Sequence, residues 1–355
     1  MLGQLIRARE RRHATRDTNR VVRPFEWGAE FVAERLNGDE PPAEGFDPRA
    51  AVTAFAREAV AHSEEFYALP DIKDYELRGD RLTWTSAVRT PSPENDTARA
   101  RFFPAQPSKR PRGNARDGEG VRRAVVVLPQ WNADAESHVA LCRLLGRLGI
   151  AALRLTLPYH EERRPANLER ADFLVSANVG RTLQSMRQAV SDTRAAVSWL
   201  AAQGFERIGI AGTSIGSCTA FLAFVHDGRI NAGVFNHVSG YVADVVWRGI
   251  STQHVRAGIE GTLTLEELRA LWLPISPLAF AERLARQTAR PMRFIAARHD
   301  LTFPPDLSRE TIARVRNLGV PVNVSWLPCG HYTSGERPWV YLDGWKIVGF
   351  LRKNL

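Results

Sequence analysis

The chain has 355 residues, of which 44% are apolar and 25% are charged. This composition is typical of a globular protein, and it excludes a disordered chain, a collagen-like repeat and a disulfide-stapled miniprotein. The formal net charge of +9 suggests an anionic partner, but only four of the 48 basic residues are lysines. Such a dominance of arginine favours a compositional bias over a selected binding surface. We therefore do not expect a nucleic-acid partner.

Three cysteines, Cys142, Cys218 and Cys329, are widely spaced and form no Cys-x-x-Cys pair. This spacing argues against a disulfide framework and against a structural zinc site. Neither a P-loop nor a dinucleotide fingerprint is present, so we expect neither a cofactor nor a metal. The apolar runs are far shorter than the ~20 residues that span a bilayer, and charged residues interrupt the start of the chain. We expect a cytoplasmic protein without a signal peptide or transmembrane segment; its oligomeric state is left open.

Residues 1–80 are predicted to form an N-terminal arm followed by a helical extension. Up to Arg23 the chain carries seven arginines and few apolar residues after Ile6, which predicts a solvated arm. In residues 50–67 the apolar side chains recur at helical spacing, and Pro70 ends the pattern.

Residues 81–355 are predicted to form an α/β domain. Segments 81–88 and 99–103 favour an antiparallel hairpin, and residues 106–120 have the composition of a mobile surface loop. Six further strands alternate with helices, at 123–128, 150–155, 207–211, 230–235, 292–296 and 322–326. Such alternation is typical of a mostly parallel sheet with helices on both faces. Residues 240–290, between two strands, are too long for a structureless loop and are predicted to form a cap.

The strongest motif is Gly212-Thr213-Ser214-Ile215-Gly216, a Gly-x-Ser-x-Gly sequence. A buried strand precedes it and an apolar helical run follows it. A strand, a sharp turn and a helix are the setting of a nucleophile elbow, in which the serine Oγ projects above the sheet. The alternative is a glycine-rich turn with an incidental serine.

A nucleophilic serine needs a base, and in this architecture an acid and then a histidine follow it along the chain. Asp300 follows the strand at 292–296, and His331 follows the last strand. Asp306 is the competing acid, although it is predicted to lie already within a helix. His299 is the competing histidine, but it is a neighbour of the acid in sequence and should point elsewhere.

With these motifs the chain resembles the α/β-hydrolase superfamily from about Arg81 to the C-terminus. Within it, the chain is most similar to serine esterases and dienelactone-hydrolase-like members with an inserted cap. The resemblance implies a mostly parallel, eight-stranded sheet whose first strands form a hairpin. It also implies catalysis by Ser214, Asp300 and His331.

One departure from the superfamily concerns the oxyanion hole. Many relatives have His-Gly after the strand that corresponds to 123–128, whereas this chain has Pro129-Gln130-Trp131-Asn132. Proline has no N–H, so the second donor should be the backbone of Gln130 or Trp131, with Trp131 favoured. The first donor is predicted to be the backbone N–H of Ile215.

Five further residues are candidates for the substrate pocket, each with a structural alternative. Tyr159 and His160 follow a strand near the sheet edge, Trp247 and Trp272 belong to the predicted cap, and Tyr332 follows His331. The cap tryptophans are equally compatible with a small core of the cap itself. Arg163 and Arg164 near the expected rim would suit a substrate carboxylate, but in so arginine-rich a chain they indicate little.

These residues predict a cofactor-free serine hydrolase that acts on a small acyl substrate. The predicted reaction is the cleavage of a carboxylic ester, or of a thioester or amide, through an acyl-enzyme on Ser214. One alternative is an acyltransferase that uses the same triad. Another is a non-catalytic protein of the same fold that binds anionic partners through its arginine-rich N-terminus.

Overall fold

A nine-stranded sheet forms the centre of the computed structural model, which describes residues 2–32, 45–106 and 121–355. The strands are β1 (Glu76–Arg78), β2 (Arg81–Thr85), β3 (Thr97–Phe103), β4 (Arg123–Leu128), β5 (Ala151–Thr156), β6 (Arg207–Thr213), β7 (Ile230–Asn236), β8 (Met292–Ala297) and β9 (Asn323–Leu327). Their order across the sheet is β1-β2-β3-β5-β4-β6-β7-β8-β9. In this order, the first three pairs, β1–β2, β2–β3 and β3–β5, are antiparallel. The other five pairs are parallel.

The predicted fold class is confirmed, since all eight predicted strands are present in a mostly parallel sheet. The sheet has nine strands rather than eight because β1 pairs with β2 in a tight hairpin that closes with Arg78 opposite Arg81. All three residues of β1 are exposed. An exposed strand has no buried face, so no apolar alternation could predict it.

The described residues form twelve α-helices. They are α1 (Leu2–Ala14), α2 (Pro48–Ala61), α3 (Ser63–Phe66), α4 (Val139–Arg147), α5 (Val179–Ala202), α6 (Ile215–His226), α7 (Val242–Arg248), α8 (Gln253–Ile259), α9 (Leu265–Leu271), α10 (Glu282–Arg286), α11 (Pro305–Asn317) and α12 (Trp339–Asn354).

Two hydrophobic clusters cover the two faces of the sheet. Side chains of β4 alternate between them: Val125 and Val127 pack with residues of α4 and α12, whereas Val126 and Leu128 pack with residues of α5 and α6. This is the consequence of the two-residue repeat of a strand. Because both faces are covered, β4 reads as a continuous apolar run in the sequence.

The first 23 residues differ from the predicted solvated arm. Residues 2–14 form α1, and one face of this helix docks on the segment that follows β9. Glu10 is completely buried there, and its carboxylate accepts hydrogen bonds from the backbone N–H groups of Tyr332 (3.0 Å) and Thr333 (2.9 Å). Most other side chains of α1 are exposed, so the sequence of this helix resembles that of a solvated arm.

The chain between β7 and β8 forms α7, α8, α9 and α10. The N-terminal extension contacts this insertion, since α2 packs on α9 and Arg49 forms an ion pair of 2.7 Å with Glu267. Most of the predicted loop at 106–120 lies outside the described residues. Within the parts of the chain that the structure describes, no helix has the length and apolar character needed to cross a membrane.

Candidate active site

Ser214 lies at the sharp turn between β6 and α6, with backbone angles of φ 59° and ψ −126°. Two glycines permit this turn. A Cβ on Gly212 would approach the carbonyl oxygen of Gly216 to 2.1 Å, and a Cβ on Gly216 would approach that of Pro129 to 2.4 Å. Larger residues would therefore push the strand, the turn and the helix apart. The positive φ of a non-glycine residue is a strained conformation of the kind found at functional sites.

Three side chains form a continuous hydrogen-bonded chain at the carboxyl ends of β6, β8 and β9. The Oγ of Ser214 lies 3.1 Å from Nε2 of His331, and Nδ1 of His331 lies 3.0 Å from Oδ2 of Asp300. Because a carboxylate only accepts, Nδ1 must carry the proton, which leaves Nε2 free to accept from the serine. The His331 ring also stacks on Phe303, with ring centres 5.4 Å apart.

Asp300 is a buried carboxylate with four donors. Its Oδ1 accepts from the backbone N–H groups of Thr302 (2.8 Å) and Phe303 (2.7 Å), and its Oδ2 accepts from two histidines. Burial alone would raise the pKa of this carboxyl, but the adjacent His331 and the hydrogen bonds from both histidines hold it well below its usual range. Asp300 is therefore an ionised and rigidly held acceptor.

The second histidine on Asp300 is His237, which the sequence analysis missed. Its Nδ1 donates to Oδ2 of Asp300 at 2.9 Å, and its Nε2 lies 3.2 Å from Oγ of Ser334. Burial opposes the charged form of this ring, but the hydrogen bond and charge of Asp300 raise its pKa above the usual value. His237 directly follows β7, which lies between β6 and β8 in the sheet. This position at the end of an intervening strand makes it a candidate neighbour of the acid, and the packing of the strands brings the two together.

Replacing His237 with leucine is expected to lower kcat about tenfold, because Asp300 loses one charge-assisted hydrogen bond and with it part of its fixed orientation. His237→Gln, which keeps an N–H donor, should recover part of that loss. The measurement is kcat for a simple ester, with thermal unfolding as the check on folding. A His237→Leu protein with the kcat of the unchanged protein would show that His331 and the backbone N–H groups of Thr302 and Phe303 suffice to orient the acid.

Among the described residues, a cluster of two histidines and one aspartate has a donor set that resembles a metal site. Ligand atoms of His237, Asp300 and His331 all lie within 4.8 Å of one another. However, both histidines direct an Nδ1–H at the same carboxylate oxygen, and His331 directs its Nε2 at Ser214. The hydrogen bonds of the triad therefore account for this cluster.

Gln130 and Trp131, in the loop after β4, line the same cavity as Ser214. The N–H groups of Gln130 and Trp131 make no hydrogen bond with other described residues. The N–H of Ile215 lies in the first turn of α6, where a helix leaves its N–H groups without an internal partner. His160 anchors this loop, since its Nε2 accepts from the N–H of Asn132 at 2.8 Å and its Nδ1 donates to the carbonyl of Pro158 at 2.8 Å. Burial lowers the pKa of His160 to about 4, so the ring is neutral at pH 7.

A cavity of about 1120 Å³ opens around the serine and extends between α4 and α12. Of the predicted pocket residues, Tyr332 lines this cavity, together with Gln130, Trp131 and Ile215. Tyr159 is instead buried against Phe173, and His160 lies behind the loop that it anchors.

The two cap tryptophans do not line this cavity either. Trp272 is completely buried and donates its Nε1–H to the carbonyl of Val179, and Trp247 packs beneath Arg256. Arg163 is not a rim residue: it is completely buried and forms an ion pair of 2.8 Å with Asp192. Arg164 is exposed and bonds to the carbonyl of Glu169.

The competing acid and histidine lie apart from the triad. Asp306 is exposed on α11, where it pairs with Arg248 at 2.7 Å. The His299 ring packs against the backbone of Gly3 in α1.

The three cysteines are free and buried. Burial raises the pKa of Cys218 to about 11 and of Cys142 and Cys329 to about 12, which makes their thiols inert near neutral pH.

The N-terminal segment contributes side chains to the cavity that the sequence analysis did not identify. Asp17 and Arg20 line it together with Arg170, which precedes α5. Arg20 donates to the hydroxyl of Tyr332 at 2.8 Å. Because these residues are far from the triad in sequence and belong to an arginine-rich stretch, no local pattern distinguishes them.

No family model matches the sequence, and no curated protein matches it either. Solved structures do match. The acylaminoacyl peptidase of Pyrococcus horikoshii has a TM-score of 0.57 at 15% identity, over 80% of this chain and 42% of that chain. A puromycin-hydrolyzing peptidase of Mycobacterium tuberculosis has a TM-score of 0.55 at 18% identity, over 76% and 39%. The acetyl xylan esterase of Paenibacillus sp. R4 has a TM-score of 0.57 at 13% identity, over 89% and 98%.

The chain thus spans less than half the length of the two peptidases and nearly the whole of the esterase. At such low identities the likeness concerns the fold. It agrees with the sheet order, the turn at Ser214 and the strand ends that carry Asp300 and His331. The chain therefore has the α/β-hydrolase fold.

Proposed function

We propose that the protein is a serine hydrolase that cleaves a carboxylic ester, or a thioester or amide, through an acyl-enzyme on Ser214. One observation supports the proposal most strongly. Oγ of Ser214, His331 and Asp300 form a continuous hydrogen-bonded chain at the wall of a large cavity, with 3.1 Å from Ser214 to His331 and 3.0 Å from His331 to Asp300. The esterase whose whole length the chain matches supports the choice of an ester.

In the first half-reaction Oγ of Ser214 attacks the carbonyl carbon while Nε2 of His331 takes the hydroxyl proton. Asp300 holds the ring in this tautomer and stabilises the imidazolium that forms. The backbone N–H groups of Ile215 and Trp131, or Gln130, donate to the oxyanion of the tetrahedral intermediate. The intermediate collapses when His331 returns its proton to the leaving alcohol.

In the second half-reaction water replaces the alcohol. His331 takes a proton from the water, the hydroxide attacks the acyl carbonyl, and the same N–H groups stabilise the second oxyanion. Collapse of this intermediate returns the proton from His331 to Oγ of Ser214 and releases the acid. No group outside this chain and the water is required.

We further propose that residues 81–355 form the catalytic domain, that residues 240–290 act as its cap, and that residues 1–80 are an extension that completes the cavity. The packing of α2 on α9 and the position of Arg20 in the cavity support this division.

Labelling with a fluorophosphonate probe tests the nucleophile. The unchanged protein should be labelled, Ser214→Ala should not, and Ser198→Ala, on α5 outside the cavity lining, should react like the unchanged protein. Equal labelling of Ser214→Ala, or no labelling of the unchanged protein under conditions where it is folded, would exclude Ser214 as the nucleophile.

A further inference from the structure

Two partly shielded arginines share the cavity of Ser214. The side chains of Arg20 and Arg170 are 14% and 10% exposed, and both line the cavity. Their Nε atoms are buried and make no hydrogen bond with the described residues, whereas a terminal nitrogen of Arg20 donates to the carbonyl of Ile250 (3.4 Å) and one of Arg170 donates to Oδ1 of Asn19 (3.1 Å). A guanidinium in such a setting is weakly hydrated and presents a fixed fork of donors that matches a carboxylate.

Acidic side chains around these arginines do not neutralise them. Asp17 accepts from Arg20 at 3.0 Å and lies 3.6 Å from Arg170, so one carboxylate faces two guanidinium groups. Behind them, Asp172 lies 3.3 Å from Arg23 and 3.6 Å from Arg170. The group therefore contains three cations and two carboxylates.

His254 is a further titratable neighbour of this group. His254 stacks on Trp131 with ring centres 5.8 Å apart, and neither ring nitrogen has a hydrogen-bond partner among the described residues. Burial, followed by the charge of Arg20, lowers the pKa of His254 to about 4. At neutral pH the histidine is uncharged and adds nothing to the three cations and two carboxylates. The nearby carboxylate of Glu10 is held by the backbone N–H groups of Tyr332 and Thr333.

The two arginines approach the catalytic groups from different sides. Arg20 donates to the hydroxyl of Tyr332, the residue after His331. The guanidinium of Arg170 lies 6.0 Å from the ring centre of Trp131, a residue of the proposed oxyanion loop. Both cations therefore lie beside residues that flank Ser214 in the lining of the same cavity.

We propose that Arg20 and Arg170 form a subsite for a substrate carboxylate, so that the preferred substrate is an ester that also carries a free carboxylate. This inference rests on the proposed function and names its substrate class. The N-terminal segment would then supply part of the specificity of the site, with Asp17 as the internal anion that the substrate carboxylate competes with or displaces.

Binding to the Ser214→Ala protein tests the subsite without turnover. By titration calorimetry, monomethyl glutarate should bind about 10- to 100-fold more tightly than dimethyl glutarate, as expected for charge-assisted hydrogen bonds. Butyryloxyacetate and its methyl ester repeat the comparison with the carboxylate on the alcohol part. Arg20→Gln and Arg170→Gln in the same background should each reduce the preference, whereas Arg314→Gln, exposed on α11, should not.

The outcomes separate the two proposals. If neither anionic ester binds more tightly than its neutral partner, the subsite is overturned; this comparison needs no arginine variant. If the preference persists in the folded double variant Arg20→Gln/Arg170→Gln, it does not arise from these residues and the assignment is equally wrong. If the preference is present and depends on the arginines but the unchanged protein hydrolyses none of these esters, the subsite stands and the proposed hydrolysis fails.

Discussion

Replacing Asp300 with asparagine is expected to lower kcat for ester hydrolysis about 10⁴-fold, the magnitude typical of losing the acid of a serine triad. The carboxylate now accepts Nδ1–H donors from both His331 and His237 at one oxygen. An asparagine offers one acceptor oxygen, and its amide NH₂ presents donors to whatever faces it. If His331 faces the amide donor, its proton moves to Nε2, and the ring can no longer accept the proton of Ser214.

The matched control is Asp306→Asn, on the same segment of chain. Asp306 is an exposed carboxylate paired with Arg248, so its replacement removes one negative charge without touching the triad. We expect its kcat to stay close to that of the unchanged protein. The rate of fluorophosphonate labelling should fall with kcat in Asp300→Asn, since both reactions require His331 to accept the proton of Ser214. A loss confined to Asp306→Asn would assign the acid to α11.

The predictable part of this molecule is the part whose signals are local. Buried parallel strands are continuous apolar runs, so β4 and β6 to β8 were identified, and the carboxyl ends of such strands meet at one edge of the sheet. Ser214 and Asp300 follow the buried strands β6 and β8, His331 follows β9 at the edge of the sheet, and the structure brings the three together. The flanking glycines are equally local, because the turn itself excludes a Cβ at Gly212 and Gly216.

The side chains that the sequence analysis missed make their contacts with residues that are distant in sequence. His237 contacts Asp300 from a different strand, and Arg170 lies 3.6 Å from Asp17, which belongs to a distant part of the sequence. His160 was expected in the pocket but instead accepts a hydrogen bond from the backbone of the loop after β4. A lone histidine at a strand end has the same local signature in either role. Only the packing of neighbouring strands and loops decides which groups it meets.

The N-terminal segment shows a third limit of sequence patterns. Hydropathy treats Glu10 as a solvated residue, yet its carboxylate is completely buried because two backbone N–H groups satisfy it. Burial of a charge is tolerated when such partners are present. Pattern analysis counts apolar side chains and cannot register a carboxylate that docks on backbone donors of a segment more than 300 residues later.

This buried carboxylate leads to the second large effect. Glu10→Ala is expected to lower kcat about 100-fold, which corresponds to about 2.7 kcal/mol. The change leaves two buried N–H groups without acceptors in Tyr332 and Thr333, next to His331. We expect the loop to shift and His331 to lose its alignment with Ser214. Because the substrate cavity is otherwise intact, the loss should appear in kcat rather than in KM. Glu10→Gln, with one acceptor oxygen, should recover part of it.

Gly330 provides an independent route to the same defect. A Cβ at this position would lie 2.3 Å from Cδ of Glu10, so Gly330→Ala should displace the carboxylate without removing it. If Glu10 acts by holding this loop, Glu10→Ala and Gly330→Ala should lower kcat by similar factors, and the double variant should be little worse than either. Arg11→Ala, exposed on the same helix, should leave kcat unchanged. Additive losses in the double variant, or a folded Glu10→Ala protein with full kcat, would show that the helix docks on the histidine loop without positioning it.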